Sequence, residues 1–275
     1  MTLRKAIRAA AAELASVSDT ARLDAELLAA FALGVDRETL LLGGMDGAVP
    51  NSFAELVVRR RAAEPIAYII GSQEFWSLRL SVSPDVLIPR PDSETLIEAA
   101  VDHFRGTSGP RSIIDLGTGS GALLLAVLAQ WPGARGLGVD RSHAALKIAQ
   151  ANAQNCGFAD RALLERGDWA SNVQDAFDLV LCNPPYIAES HPLMDDVIRY
   201  EPHAALFGGE DGLVEYRRLA PQIARLLTRT GCACVEIGHD QAQQATSLFQ
   251  NVGLKVDLRA DLGGRDRCLV LTQMA

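Results

Sequence analysis

Positive charge is in deficit. Against 34 Asp and Glu the 275-residue chain carries 26 Lys and Arg, a formal net charge of −8. A protein that grips duplex nucleic acid along its backbone presents a basic face, so this balance argues against direct nucleic-acid binding. Cysteine is scarce: Cys156, Cys182, Cys232, Cys234 and Cys268 make an odd number, no C-x-x-C occurs, and three of them lie in strand-like runs. That excludes a disulfide framework and a zinc ribbon and reads as reduced core thiols of a cytoplasmic protein. The five histidines (His103, His143, His191, His203, His239) have no ligand spacing, so no metal is expected. No apolar run reaches the ~18 residues of a membrane-spanning helix. The amphipathic start MTLRKAIRAAAAELASVS has no cleavable apolar core, so no membrane association is expected.

What is present is an ordinary core composition, 48% hydrophobic and 22% charged. The length allows one large domain or two smaller ones, at roughly 100–200 residues each. Up to about residue 63 the chain reads helical. Leu3, Ile7, Ala10, Ala11 and Leu14 recur at helical spacing. Asp19 can cap a second helix that carries Leu23, Leu27, Leu28 and Phe31, and Gly34 stops it. Arg59-Arg60-Arg61, on a third helix, reads as a solvated face. Then QEFWSLRLSVSPDVLIP alternates apolar and polar residues, as a hairpin does. Arg90, between Pro89 and Pro91, marks a stiff junction, and the domain boundary is expected near residue 85.

Beyond residue 92 strands and helices alternate. SIIDLG, ARGLGVD, RALLERGD, FDLVLC, CACVEIG, KVDLRAD and RCLVLTQ read as strands; the helices between them include GALLLAVLAQWP and GLVEYRRLAPQIARLLT. Such alternation predicts an α/β fold, an open and mostly parallel sheet covered on both faces, with ligands at the carboxyl ends of the strands.

Two of those strand ends carry chemistry. In IDLGTGSG, Gly117, Thr118, Gly119, Ser120 and Gly121 turn a strand into a helix, where glycine permits close approach to a ligand. Asp140 ends the next strand, placed to accept from ribose hydroxyls. The turn and Asp140 suit a nicotinamide dinucleotide and S-adenosylmethionine equally; Asp115 occupies the acidic position common before the glycines of methyltransferases. Asp168 and Trp169, after the third strand, suit an adenine, one as acceptor for its amine and one as a packing face, or else a surface Asp beside a core Trp.

The second strand end is LCNPPYI. Asn183 offers an amide oxygen, Pro184 a carbonyl with no N–H, and the Pro184-Pro185 pair holds that carbonyl in one direction. Tyr186 adds a flat face. Two fixed acceptors suit a planar –NH2 group whose lone pair is delocalised. With both N–H bonds held, the lone pair turns towards a methyl donor placed in line, and catalysis is positioning plus relief of growing positive charge. Asp195-Asp196 reads as a solvated pair, and the long polar stretch 187–211 as a flap.

In this order IDLGTGSG, Asp140, GDW and NPPY resemble the class I S-adenosylmethionine-dependent methyltransferases acting on conjugated nitrogen. More narrowly, EPIAYIIGSQEFWSLRLSVSPDVLIPRPDSETLIE, the glycine turn, LVLCNPPYI and YEPHAALFGGEDGL, over about residues 64–213, resemble the HemK-type protein-glutamine methyltransferases of bacterial release factors. One departure is PDSE after Arg90, where that family often has PETE; each change keeps charge or hydroxyl. The resemblance implies a Rossmann-like methyltransferase domain over 86–275 with a mostly parallel seven-stranded sheet, and a helical substrate-recognition domain with a hairpin linker over 1–85. It implies S-adenosylmethionine as cofactor, S-adenosylhomocysteine as product, and the GGQ glutamine of peptide chain release factors as substrate, tuning translation termination, with the enzyme a monomer. Asn183 and Pro184 would hold the amide, Pro185 and Tyr186 line its slot, and Gly117 to Gly121, Asp140, Trp169 and Asn183 meet the cofactor, beside the Asp168 already read as an adenine acceptor. Phe75, Arg90 and Glu201 would support the site, or Arg90 would pair with Asp92 or Glu94. A ribosomal-protein glutamine, adenine N6 in nucleic acid, and a cofactor-binding assembly protein without chemistry remain alternatives.

Overall fold

The computed structural model describes residues 2–274, which pack as two compact units: the chain up to Ser72 together with Leu193–Tyr200, and Gln73–Pro192 together with Glu201 onward. The break falls after Ser72 rather than near residue 85, because the hairpin is tied into the sheet unit. Asn152 accepts from the Ser81 N–H at 2.7 Å and donates to the Ser81 carbonyl at 3.0 Å. Phe75 and Leu80 are buried with Leu96 and Ile97.

The helical unit contains α1 (Leu3–Leu14), α2 (Ala21–Leu33), a single turn α3 (Arg37–Thr39) that runs into a π-helical turn, α4 (Phe53–Arg61) and α5 (Ile66–Ile70). Leu3, Ala6, Ile7, Ala10 and Leu14 form the stripe that α1 buries, at the i, i+3, i+4 spacing of one helix face. α2 stops at Gly34, whose φ of 70° is the left-handed cap that glycine adopts without strain. Asp19 does not cap α2. The capping position is Thr20, and its hydroxyl donates to Asp24 at 3.1 Å instead of closing the helix end. Asp24 is buried and ion-paired at 2.7 Å with Arg60, itself buried. The middle arginine of the basic run is therefore interior; only its flanks face water, Arg59 near Glu64 and Arg61 near Glu13. Asp195 and Asp196 open α9 (Asp195–Tyr200), a short helix inside the expected loop that packs with this unit, its Tyr200 hydroxyl donating to the Ala62 carbonyl at 2.9 Å.

The sheet unit begins with the ribbon β1 (Ser72–Phe75) and β2 (Leu78–Ser81). There follow α6 (Glu94–His103), β3 (Ser112–Leu116), α7 (Ala122–Gln130), β4 (Arg135–Asp140), α8 (His143–Asn155), β5 (Ala162–Arg166) and β6 (Phe177–Cys182). After the α9 segment come α10 (Val214–Leu226), β7 (Leu227–Glu236), α11 (Ala242–Gln250), β8 (Leu254–Ala260) and β9 (Asp266–Gln273). All seven predicted strands form one sheet in the order β5-β4-β3-β6-β7-β9-β8, parallel except for β9. Successive residues alternate between its two buried faces. Ile113, Leu179, Leu181, Cys232 and Cys234 pack on the α6–α7 side, while Ile114, Val180, Cys182, Ala233 and Val235 pack under α10 and α11. This double burial is why these strands read as continuous apolar runs. Four cysteines, not three, lie in strands, and Cys268 of β9 is the fourth. No described helix is long and apolar enough to cross a membrane.

Candidate active site

From β3 the chain crosses to β4 and β5 on one side, then returns to β6 on the other. β3 and β6 are thus neighbours at a topological switch point, where a crevice opens beyond their carboxyl ends. Leu116 pairs with Cys182, so Gly117 and Asn183 leave the sheet side by side.

The glycine turn is left-handed at Gly117, Gly119 and Gly121, with φ of 75°, 54° and 83°. At Gly117 a Cβ would also lie 2.9 Å from Cζ3 of Trp169, so both backbone and space demand glycine there. Trp169 has φ 51°, a strain of about 1–3 kcal/mol for a residue of this size. Its indole N–H donates to Glu215 of α10 at 2.7 Å, and Arg218 bridges Glu215 (2.8 Å) to Asp168 (2.6 Å). Asp140 accepts from the N–H of Gly119 at 2.9 Å and of Ser142 at 2.8 Å, one on each oxygen. Each oxygen keeps a lone pair for a ligand hydroxyl. Asp115 is buried, and its Oδ2 accepts from the Thr118 hydroxyl at 2.7 Å. Among the described residues its buried Oδ1 makes no close hydrogen bond, and the Leu124 N–H of the first turn of the following helix acts on the carboxylate more loosely. Burial pushes the carboxyl up to about 7 against the pull of Thr118 and of the Leu124 N–H.

On the other lip, the Asn183 amide nitrogen donates to Ser93 Oγ at 3.2 Å. Ser93 donates to Glu236 Oε2 at 2.5 Å, and the Tyr186 hydroxyl donates to Glu236 Oε1 at 3.2 Å. Glu236, the last residue of β7, is buried, and desolvation raises its carboxyl to about 7 despite Ser93, Arg267 and Tyr186.

Residues 5–71 match the PrmC N-terminal domain family, and residues 93–228 the methyltransferase small domain family. A release factor glutamine methyltransferase of Rhodospirillum rubrum is 42% identical over 260 residues, spanning 92% of this chain and 79% of the relative. One of Bradyrhizobium diazoefficiens is 41% identical, spanning 99% of this chain and 95% of its own. The chain belongs to the release factor glutamine methyltransferase family. A solved methyltransferase of Pyrococcus furiosus shares the fold, with TM-score 0.55 and 15% identity over 81% of this chain and 98% of that one.

The residues of this methyltransferase fit the adenosyl ligand that the sequence resemblance implies. A buried carboxylate oxygen without a close partner suits an amine, Asp140 has acceptor capacity for a ribose, and Gly117 has no Cβ to press on Trp169, which lines the crevice. Gly117, Thr118, Gly119, Ser120, Asp140, Asp168, Trp169, Asn183 and Pro185 line the crevice, with Asp115 and Phe75. Gly121 lies off its wall as the N-terminal cap of α7, Pro184 is buried, and Tyr186 turns its hydroxyl to Glu236. Asp168 is exposed, with one oxygen engaged by Arg218. Arg90 pairs with Glu201, not with Asp92 or Glu94: Asp92 faces Arg267 at 3.2 Å, and Glu94 accepts from the Trp76 N–H at 2.9 Å. Glu201 also accepts from the Ile88 N–H at 3.1 Å. It anchors the return of the predicted flap, whose ends are joined by an Ile187–Phe207 bridge. The sequence reading passed over Ser93, Glu215 and Glu236. An acid ending the strand CACVE, at the carboxyl edge where ligands bind, was the available signal for Glu236. No cluster able to hold a metal occurs among the described residues.

Proposed function

We propose that the protein transfers a methyl group from S-adenosylmethionine to the side-chain nitrogen of the GGQ glutamine of peptide chain release factors, acting as a cytoplasmic monomer. The relatives' shared name supports the substrate. One observation carries the chemistry: Asn183, beside the glycine turn, commits its amide nitrogen to Ser93 and so turns its oxygen the other way, on the crevice wall.

When bound, S-adenosylmethionine supplies an electrophilic methyl carried on a positively charged sulfur. Gly117 to Ser120 would give it backbone room, with Gly121 turning the chain into the helix behind them; Asp140 would hold the ribose, Asp115 would meet the amine, and Trp169 with Asp168 would border the adenine. Asn183 Oδ1 and the Pro184 carbonyl accept the two N–H bonds of the glutamine carboxamide. That fixes the nitrogen's approach and stabilises the charge growing on it. Pro185 and Tyr186 border the slot. No side chain needs to remove a proton before attack, since the proton is lost from the more acidic alkylated nitrogen afterwards. The helical unit is the part that grips the release factor.

The test is to incubate the protein with methyl-labelled S-adenosylmethionine and either purified release factor or a DNA duplex, then map the label by mass spectrometry. One methyl on the GGQ glutamine is expected, lost when that glutamine is replaced, with the DNA unmodified. Label on adenine would replace this reading.

A further inference from the structure

We propose that Ser93 and Glu236 act as positioning residues that set the direction of the Asn183 amide, so that its oxygen rather than its nitrogen meets the substrate carboxamide. The inference rests on the glutamine reading above. Three elements meet here: Ser93 ends the short 3-10 turn before α6, Asn183 follows β6, and Glu236 ends the neighbouring β7. A serine hydroxyl has one proton, and an ionised carboxylate accepts only. With Ser93 Oγ 2.5 Å from Glu236 Oε2, that proton goes to Glu236. The Ser93 oxygen then has only lone pairs for its second partner, 3.2 Å away, and that partner must be the amide N–H of Asn183. A reversed Asn183 would point its oxygen at those lone pairs and present N–H to the substrate's own N–H, losing one of the two acceptors that the transfer needs.

The same chain gives the buried Glu236 a purpose. Two hydroxyls hold its carboxylate, while Arg267 acts from further off and is itself bonded to Asp261 and paired with Asp92. Protonating Glu236 gives it a proton of its own to donate to Ser93. The Ser93 proton can then turn to Asn183 and favour the reversed amide. The groups facing Glu236 are Arg267 and Cys268 of β9, Asp92 and Ser93 before α6, Cys182 of β6, Tyr186 after it and Tyr216 of α10. Burial pushes both tyrosines and both cysteines upward, so they stay neutral near pH 7, and Arg267 stays charged. Of the groups facing it, Glu236 is the one that titrates in that window, so kcat at saturating cofactor should fall as pH falls through about 7; Asp115, also near 7 on the cofactor side, would leave that limb in place in Glu236→Gln if it were the cause.

The experiment measures methyl transfer to purified release factor from pH 6 to 9 for the wild type, Ser93→Ala, Ser93→Thr and Glu236→Gln. S-adenosylhomocysteine affinity is measured by calorimetry on each. Ser93→Ala should lose about tenfold or more in kcat, with the release-factor KM and S-adenosylhomocysteine affinity within about twofold of wild type. Ser93→Thr should recover most of the loss, and Glu236→Gln should abolish the acid limb of the kcat profile. A wild-type kcat in Ser93→Ala, a parallel fall of S-adenosylhomocysteine affinity and kcat, or an acid limb that survives in Glu236→Gln would overturn the proposal while leaving the glutamine reading intact. A wild type that leaves the release factor unmethylated would overturn both.

Discussion

The two units treat their most deeply buried acids in opposite ways. In the helical unit Asp24 and Arg60 sit together as partners of opposite sign, with Thr20 completing the set. In the sheet unit Asp115 and Glu236 are buried against neutral hydroxyls, those of Thr118, Ser93 and Tyr186, and both carboxyls are driven up to about 7 by desolvation. A matched pair holds helices in place. An acid buried beside hydroxyls costs stability when ionised, and its presence at a strand end in a crevice marks a site that trades stability for chemistry.

Breaking the matched pair should have the largest effect. Arg60→Ala leaves Asp24 buried and uncompensated and should cost about 3–5 kcal/mol, read by urea unfolding. A loss below about 1 kcal/mol would make the pair no different from a surface contact. Asn183→Ala tests the other unit: transfer should fall roughly 10²–10³-fold while S-adenosylhomocysteine affinity weakens far less. Equal losses would reassign Asn183 to cofactor binding alone.

Asp115→Asn sharpens the comparison because its sign is opposite. The folded-state pKa of about 7 lies above the ordinary 3.8, so the folded protein holds the extra proton. The stability this gives is complete below about pH 4 and is lost as pH rises through 7. Removing the charge should therefore stabilise the protein by up to roughly 4 kcal/mol at pH 8 and very little at pH 4, measured by calorimetry at both. The same change should weaken cofactor binding. Equal stability of wild type and variant at pH 8 would show that Asp115 pays no desolvation penalty. The smallest effect belongs to Arg61→Ala: the exposed pair with Glu13, 3.3 Å apart, should contribute less than about 1 kcal/mol to urea unfolding.

Much of this was legible in order along the chain. The seven strands, the Gly34 stop and the hairpin follow from alternation and turn chemistry that a few neighbouring residues decide. The crevice, too, was legible in outline, since glycines and NPPY both follow apolar strands. The reading failed where a side chain chose a distant partner. Arg60 looked like its flanking arginines because a run of like charges carries no mark of the one that turns inward. Arg90 had Asp92 and Glu94 close in sequence, yet paired with Glu201, 111 residues away. Asp19 looked like a cap because a cap is a local rule, and that rule yielded to Thr20's bond with a buried acid.

The sequence by itself determined which backbone segments extend, where they turn, and that an amide and two prolines end a strand near a glycine bend, because steric and periodic preferences act over a few residues. Only the tertiary structure decided which way that amide faces. Ser93 lies 90 residues from Asn183 and 143 from Glu236; the order of strands in the sheet brings the three together, and the single proton of a hydroxyl sets the direction of the bonds between them.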